Sequence, residues 1–275
     1  MKEIEKPRCR ICGKEYKENN PAFLKMLSPE MQEKLKYIPD CDCLEKEKTA
    51  EWERLEKERQ RQCLQGKIKA YRDISIIDEK FIKSKFNIAD MSSDAMRISK
   101  KYAELFIKKG TAPVGLLFHG NVGTGKTFAS ACISNALTDA GKTVMVLSVG
   151  LYINKIQREW AEAESKILTY VKSCDLLVID DLGVEKVSDF VKDKVFILID
   201  TRYRTGKPII VTTNLELNND GLTESEVKEG LSIESRFGSR ISDRLADMCQ
   251  LCAVNGKSWR GQDTRQKFIK FMRGE

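Results

Sequence analysis

Apolar residues in the larger, C-terminal part of the chain gather in short continuous runs: VGLLF (114–118), VMVLS (144–148), LLVID (176–180), PIIVTT (208–213) and a weaker LCAV (251–254). Helix-length segments separate them, among them KTFASACISNALTDAG, the stretch from Leu151 to Lys172, and SDFVKDKVFILIDTRYRTG. Runs without polar alternation predict strands buried on both faces. Helices between such strands predict a parallel sheet covered on both sides. Residues 1–65 follow another pattern, almost free of strand-like runs. Their last stretch, LEKEKTAEWERLEKERQRQCLQ, pairs Glu with Lys and Arg at helical spacing and predicts an exposed connector helix. The expected organisation is a small N-terminal module over 1–65 and an α/β domain over 66–275.

Chemistry attaches to the ends of the predicted strands. Directly after VGLLF comes G-x-x-x-x-G-K-T, from Gly120 to Thr127. Glycines 120, 123 and 125 let backbone amides wrap a phosphate, and the following helix start points its free N–H groups at the anion. The expected nucleotide-binding stretch is Gly120, Asn121, Val122, Gly123, Thr124, Gly125, Lys126, Thr127 and Phe128. Lys126 can reach the β and γ phosphates, and the Thr127 hydroxyl can ligate Mg²⁺. LLVIDDLG ends a buried strand on Asp180 and Asp181, the first suited to holding Mg²⁺ and the second to orienting an attacking water. IIVTTN ends on Asn214, whose amide can reach the same water. His119, the only histidine, has no carboxylate or cysteine partner in sequence and reads as a strand-end packing residue.

Composition narrows the setting. The 275 residues are 41% hydrophobic and 32% charged with a net charge of +7, which describes a soluble globular protein able to accept an acidic partner. No apolar run approaches the ~20 residues that cross a bilayer, and MKEIEKPRCR lacks the apolar core of a signal peptide. A cytoplasmic location with no membrane partner is expected. Nine cysteines in a reducing compartment favour metal binding over disulfides. Cys9 and Cys12, then Cys41 and Cys43, form two close pairs suited to tetrahedral Zn²⁺.

Near the C-terminus, SRFGSRISDRL spaces Arg236, Arg240 and Arg244 four apart, which on one helix puts all three on one face. Only Glu234, Asp243 and Asp247 lie close enough in sequence to neutralise them.

In order, GNVGTGKT, LLVIDDLGVE, DTRYRTGKPIIVTTNL, SRISDRL and GKSWR resemble the bacterial and phage replicative helicase loaders of the DnaC/DnaI type, with IstB-type ATP-binding proteins among their relatives. The resemblance covers roughly residues 71–265. It implies an AAA+ P-loop NTPase fold, with Gly120–Thr127 as the Walker A loop, Asp180 and Asp181 as the Walker B acids and Asn214 as sensor 1. It implies catalysis by Lys126, Asp181 and Asn214, completed in trans by Arg244 with Arg240 in support, so that the negative partner of the arginine row is the γ phosphate held by another subunit. It further implies ATP, Mg²⁺ and Zn²⁺ as cofactors, slow DNA-stimulated ATP hydrolysis, and self-assembly through the ATP site. The partners implied are a DnaB-type hexameric helicase, docked by the N-terminal zinc module, and single-stranded DNA. DNA contact would fall in Leu151–Lys172, shaped by an additional helix, with Lys155, Arg158, Lys166 and Lys172 as candidates. Arg260, in GKSWR, matches an SYR-like element without an assigned role. Two other readings stay open: an IstB-like transposition helper ATPase, and a non-hydrolysing nucleotide-binding adaptor.

Overall fold

The computed structural model describes residues 6–75, 79–259 and 262–273. The chain divides into two compact units, Met1–Leu64 and Gln65–Glu275.

In the first unit a two-stranded antiparallel ribbon, β1 (Lys17–Glu18) and β2 (Tyr37–Ile38), flanks two short helices, α1 (Pro21–Leu24) and α2 (Pro29–Lys34). Both helices carry Pro at their start, where the missing N–H costs no hydrogen bond. Helix α3 (Cys43–Ile74) then carries the chain into the second unit. Its charged middle is exposed, as its Glu/Lys/Arg spacing predicts. Its last turns carry Tyr71 and Ile74, both buried in the second unit's core.

The second unit has a five-stranded parallel sheet in the order β4-β5-β6-β3-β7. In chain order its elements are α4 (Glu79–Lys83), α5 (Asp94–Lys109), β3 (Gly115–His119), α6 (Lys126–Asp139), β4 (Val144–Ser148), α7 (Val149–Ser173), β5 (Leu176–Leu182), α8 (Asp189–Thr205), β6 (Ile209–Thr213), α9 (Glu224–Glu229), α10 (Ile233–Phe237), α11 (Ser239–Met248), β7 (Cys249–Ala253) and α12 (Gln262–Arg273). Side chains alternate across the sheet. Leu117, Met145, Leu147, Leu177, Ile179 and Val211 meet α7, α8, α10 and α11 on one face. Leu116, Phe118, Val146, Val178 and Ile210 meet α4, α5 and α6 on the other. Burial on both faces explains why these strands read as unbroken apolar runs. The last strand begins two residues before the LCAV run, at Cys249.

Arg202 is fully buried and ties three elements together. Its guanidinium donates to the carbonyls of Val171 and Cys174 (2.9 Å each), Asp175 (2.9 Å) and Pro208 (2.8 and 3.1 Å). Those carbonyls close α7 and open β5 and β6, so Arg202 sets how these elements meet. Burial lowers the guanidinium's pKa, against the pull of Cys174 and Asp175.

The region of Leu151–Lys172 contains no second helix. Helix α7 runs through it unbroken, with Arg158, Lys166 and Lys172 exposed and Lys155 half-buried. Among the described residues, no helix is long and apolar enough to cross a membrane.

Candidate functional site

Strands β5, β6 and β3 are neighbours and parallel, so their C-terminal ends share one edge of the sheet. That edge gathers Asp180 and Asp181 from β5, Asn214 just past β6, and the loop from Gly120 that follows β3. Gly120 takes φ 133°, and a Cβ there would lie 2.7 Å from the Val254 carbonyl oxygen. Only glycine fits that turn. The loop closes at Gly125, which caps α6 with φ 105° and supplies no side-chain hydrogen bond to the helix start. The first-turn amides are therefore left for an outside acceptor. Lys126 is 5% exposed and donates to the Gly120 and Asn121 carbonyls at 2.7 Å each, inside the curve of the loop. The Thr124 hydroxyl donates to the Asn121 carbonyl at 2.9 Å, bracing the same turn. Thr127 is half-buried on the first turn of α6, and Asn121 and Val122 are exposed at the tip. Phe128 is half-buried and packs against the core layer that holds α5.

The acid pair sits on a bulge. Ile179 pairs with Val211 but Leu182 pairs with Thr213, leaving Asp180 and Asp181 opposite the single residue Thr212. Asp181 has φ 54°, the one positive-φ non-glycine among the described residues. Its N–H donates to Thr212 Oγ1 (2.8 Å), and that hydroxyl donates to Asp180 Oδ1 (2.7 Å). Glu185, three residues beyond the bulge end, accepts from the Gly183 N–H at 3.2 Å, and burial raises its pKa against the opposing field of Arg236.

His119 ends β3 with its side chain largely buried, as its sequence reading has it; folding brings Glu216 Oε2 from beyond β6 to 3.4 Å from its Nδ1, without a hydrogen bond, while its carbonyl accepts from the Val254 N–H at 2.8 Å. The segment after β7 continues across the loop, and the Trp259 N–H donates to the Gly123 carbonyl at 3.0 Å. Beside it opens a cavity of about 490 Å³, lined by Asp90, Ser93, Asp94, Thr124, Asn255 and Trp259 among others. Arg260 lies outside the described residues.

The arginine row is not one helix face. Gly238, at φ 100° and ψ 156°, ends α10 and starts α11, so Arg236 belongs to a different helix from Arg240 and Arg244. Arg240 is exposed. Arg244 has a carboxylate partner within its own chain: Asp200 of α8, at 2.8 Å from Nη2 and 3.0 Å from Nε. Its Nη1 donates to the Arg240 carbonyl at 3.1 Å, and its plane lies 4.8 Å and 5.5 Å from the Phe196 and Tyr203 ring centres. Burial alone would raise the Asp200 carboxyl, but hydrogen bonds from Arg204 and Arg244 outweigh it and hold the pKa below the usual value. The premise that the row lacks a negative partner in its own subunit is therefore corrected. No sequence signal marks Asp200, which lies 44 residues away from Arg244.

In the first unit, the Sγ atoms of Cys9, Cys12, Cys41 and Cys43 all lie within 4.8 Å of one another, and none is in a disulfide. Four thiolates on one zinc ion would sit about 3.8 Å apart, from a Zn–S length near 2.3 Å. The turn is built for the ligands: Gly13 (φ 75°) donates to the Cys9 carbonyl at 2.8 Å, and the Ile11 N–H reaches Cys9 Sγ at 3.5 Å. Backbone hydrogen bonds from Cys12 and Ile11 lower the Cys9 thiol to about 7, while the neighbouring thiols push Cys43 up to about 12. The cluster is able to hold a metal ion.

Residues 41–267 match the family described as IstB-like ATP binding protein. The chain belongs to that family. Among relatives of this IstB-like protein, the replicative helicase loader DnaC of Escherichia coli (strain K12) is 27% identical over 179 residues, covering 64% of this chain and 66% of that protein. The replicative helicase loader DnaC of Buchnera aphidicola subsp. Acyrthosiphon pisum is 24% identical over 160 residues, covering 57% and 58%. The chain thus spans about two thirds or less of the curated relatives it matches. The crystal structure of the DnaI superposes with a TM-score of 0.53 at 21% identity, covering 68% of this chain and 95% of that one. The crystal structure of the DnaC helicase loader gives 0.52 at 22%, covering 65% and 100%. The parallel α/β fold expected from the strand pattern is the fold of this IstB-like chain, and those two structures share it.

Proposed function

We propose that this chain is an ATP-hydrolysing loader that places a DnaB-type hexameric replicative helicase on single-stranded DNA. One observation carries the reading: a phosphate loop, an acid pair and a strand-end Asn share one sheet edge, in a chain related over 179 residues to a protein named replicative helicase loader DnaC.

In this reading Lys126 leaves the Gly120 and Asn121 carbonyls to neutralise the β and γ phosphates, and the α6 amides bind the same oxygens. Thr127 and Asp180 hold Mg²⁺, which when bound spreads the charge of the transferring phosphoryl group. Asp181 orients and deprotonates the attacking water, with the Asn214 amide fixing its other side. The nucleotide base would enter the cavity beside Thr124 and Trp259. Arg244, supported by Arg240, reaches the γ phosphate bound by another subunit, and must leave Asp200 to do so. Subunit assembly and arginine release are then one event, which keeps turnover low in the isolated chain. The four cysteines bind Zn²⁺ and shape the N-terminal unit that docks on the helicase, while Arg158, Lys166 and Lys172 of α7 track the DNA backbone.

The test is a pull-down with a replicative helicase beside an ATPase assay. Lys126→Ala should lower hydrolysis about 100-fold or more while helicase capture persists. Removing residues 1–65 should abolish capture. A protein that ignores the helicase yet filaments on duplex DNA with ATP would make it an IstB-like transposition helper instead.

A further inference from the structure

The structure assigns Thr212 a positioning role: its hydroxyl is the link that holds both acids of the bulge in register. This rests on the ATP-hydrolysing reading of the sheet edge and deepens it.

At the bulge, two residues of β5 face one of β6, so the ladder cannot serve both. The Asp181 N–H, turned by φ 54°, donates to a side-chain hydroxyl in place of a strand carbonyl. A threonine hydroxyl has one proton and two lone pairs, and a carboxylate oxygen only accepts. The proton of Thr212 therefore goes to Asp180 Oδ1, and a lone pair receives the Asp181 N–H, which gives the link a single polarity. Thr212 is fully buried, so water does not compete for either bond. A left-handed turn at a non-glycine is strained, and the Thr212 bond offsets part of that strain. One hydroxyl thus fixes the backbone from which Asp181 projects and the orientation of the Asp180 carboxylate, the group this reading assigns to Mg²⁺.

The adjacent Thr213 supplies an internal control. It is as deeply buried, but its hydroxyl donates to the Leu182 carbonyl (2.7 Å) and accepts from the Leu215 N–H (3.1 Å), touching neither acid. Loss of either hydroxyl costs strand-end stability. Only loss of the Thr212 hydroxyl reaches the metal and the water.

Three variants of the full chain separate these effects: Thr212→Val, Thr212→Ser and Thr213→Val. Two quantities are read: kcat against KM for ATP, and the Mg²⁺ concentration that half-maximally tightens a fluorescent non-hydrolysable ATP analogue. Thr212→Val should lower kcat and raise the Mg²⁺ half-point, each about 10-fold or more, as expected for losing a group that orients a metal ligand. Its Mg²⁺-free affinity for the analogue should be unchanged. Thr212→Ser should recover most of both losses, and Thr213→Val should leave the Mg²⁺ half-point where it was. A wild-type Mg²⁺ half-point in folded Thr212→Val, or a Ser variant as impaired as the Val one, overturns the assignment. Should Thr212→Val fail to fold, Thr212→Cys, a weaker donor, is read for the same two outcomes. A Lys126→Ala protein that hydrolyses ATP normally would instead overturn the underlying ATPase reading, whatever Thr212 does.

Discussion

Arg244 uses Nε, Nη1 and Nη2 within its own chain, and two aromatic rings cover its plane. A guanidinium so engaged is held in one place, and Asp200 is the group that holds it. Asp200→Asn should destabilise the fold by about 1–2 kcal/mol, since it removes the charged acceptor of a half-buried donor. The effect carries a pH signature. The Asp200 carboxyl has a folded pKa below its unfolded value, so its contribution is complete above about pH 4 and disappears as pH falls through the folded pKa. Urea unfolding of wild type and Asp200→Asn should therefore differ at pH 7 and converge under acid. Residue identity at the phosphate loop was legible in sequence, since Gly120, Lys126 and Thr127 follow one another. Asp200 and Thr212 were not, because each acts on a partner that folding alone brings near.

Among the elements, the break between α10 and α11 decides which arginines share a face. Gly238 sits at φ 100° and ψ 156°, a region open almost only to glycine, and a Cβ there would touch nothing within 4 Å. The cost of a side chain is then purely that of the backbone, so Gly238→Ala should lose about 1–3 kcal/mol in urea unfolding. A loss near zero would mean that α10 and α11 can join into one helix with little strain. The glycine stood in the sequence as a visible helix-stop signal, but the four-residue arginine spacing masked it. The strands were legible for a plainer reason: burial on both faces leaves an apolar run that no surface helix of this length would carry. The bulge on β5 left no such trace, because LLVIDDL reads alike with or without it.

At the scale of the molecule, the two units hold themselves together by different means. The Gln65–Glu275 unit buries two apolar layers against its sheet. Among the described residues of Met1–Leu64, Cys9 alone is buried. A segment without an apolar core needs another source of order, and the four-thiol cluster is the one available. Treatment with a strong chelator should strip about one zinc per chain and abolish amide protection across β1 and β2. The melting temperature of the larger unit should move little. Metal analysis with hydrogen exchange checks both, and retained protection without metal would remove zinc from the account.

The sequence alone determined what depends on neighbours along the chain: the buried strands, the phosphate loop between strand and helix, the acid pair at a strand end, the paired cysteines. Local periodicity and contiguous motifs carry that information, because backbone geometry sets it within a few residues. Tertiary structure alone decided the strand order β4-β5-β6-β3-β7, the Asp200 partner of Arg244, the approach of Glu216 to His119 and the Thr212 link between the acids. Each joins residues about thirty or more apart in sequence (Arg244 and Asp200 by 44, Thr212 and Asp180 by 32), and no local pattern records which distant groups a closing sheet will set side by side.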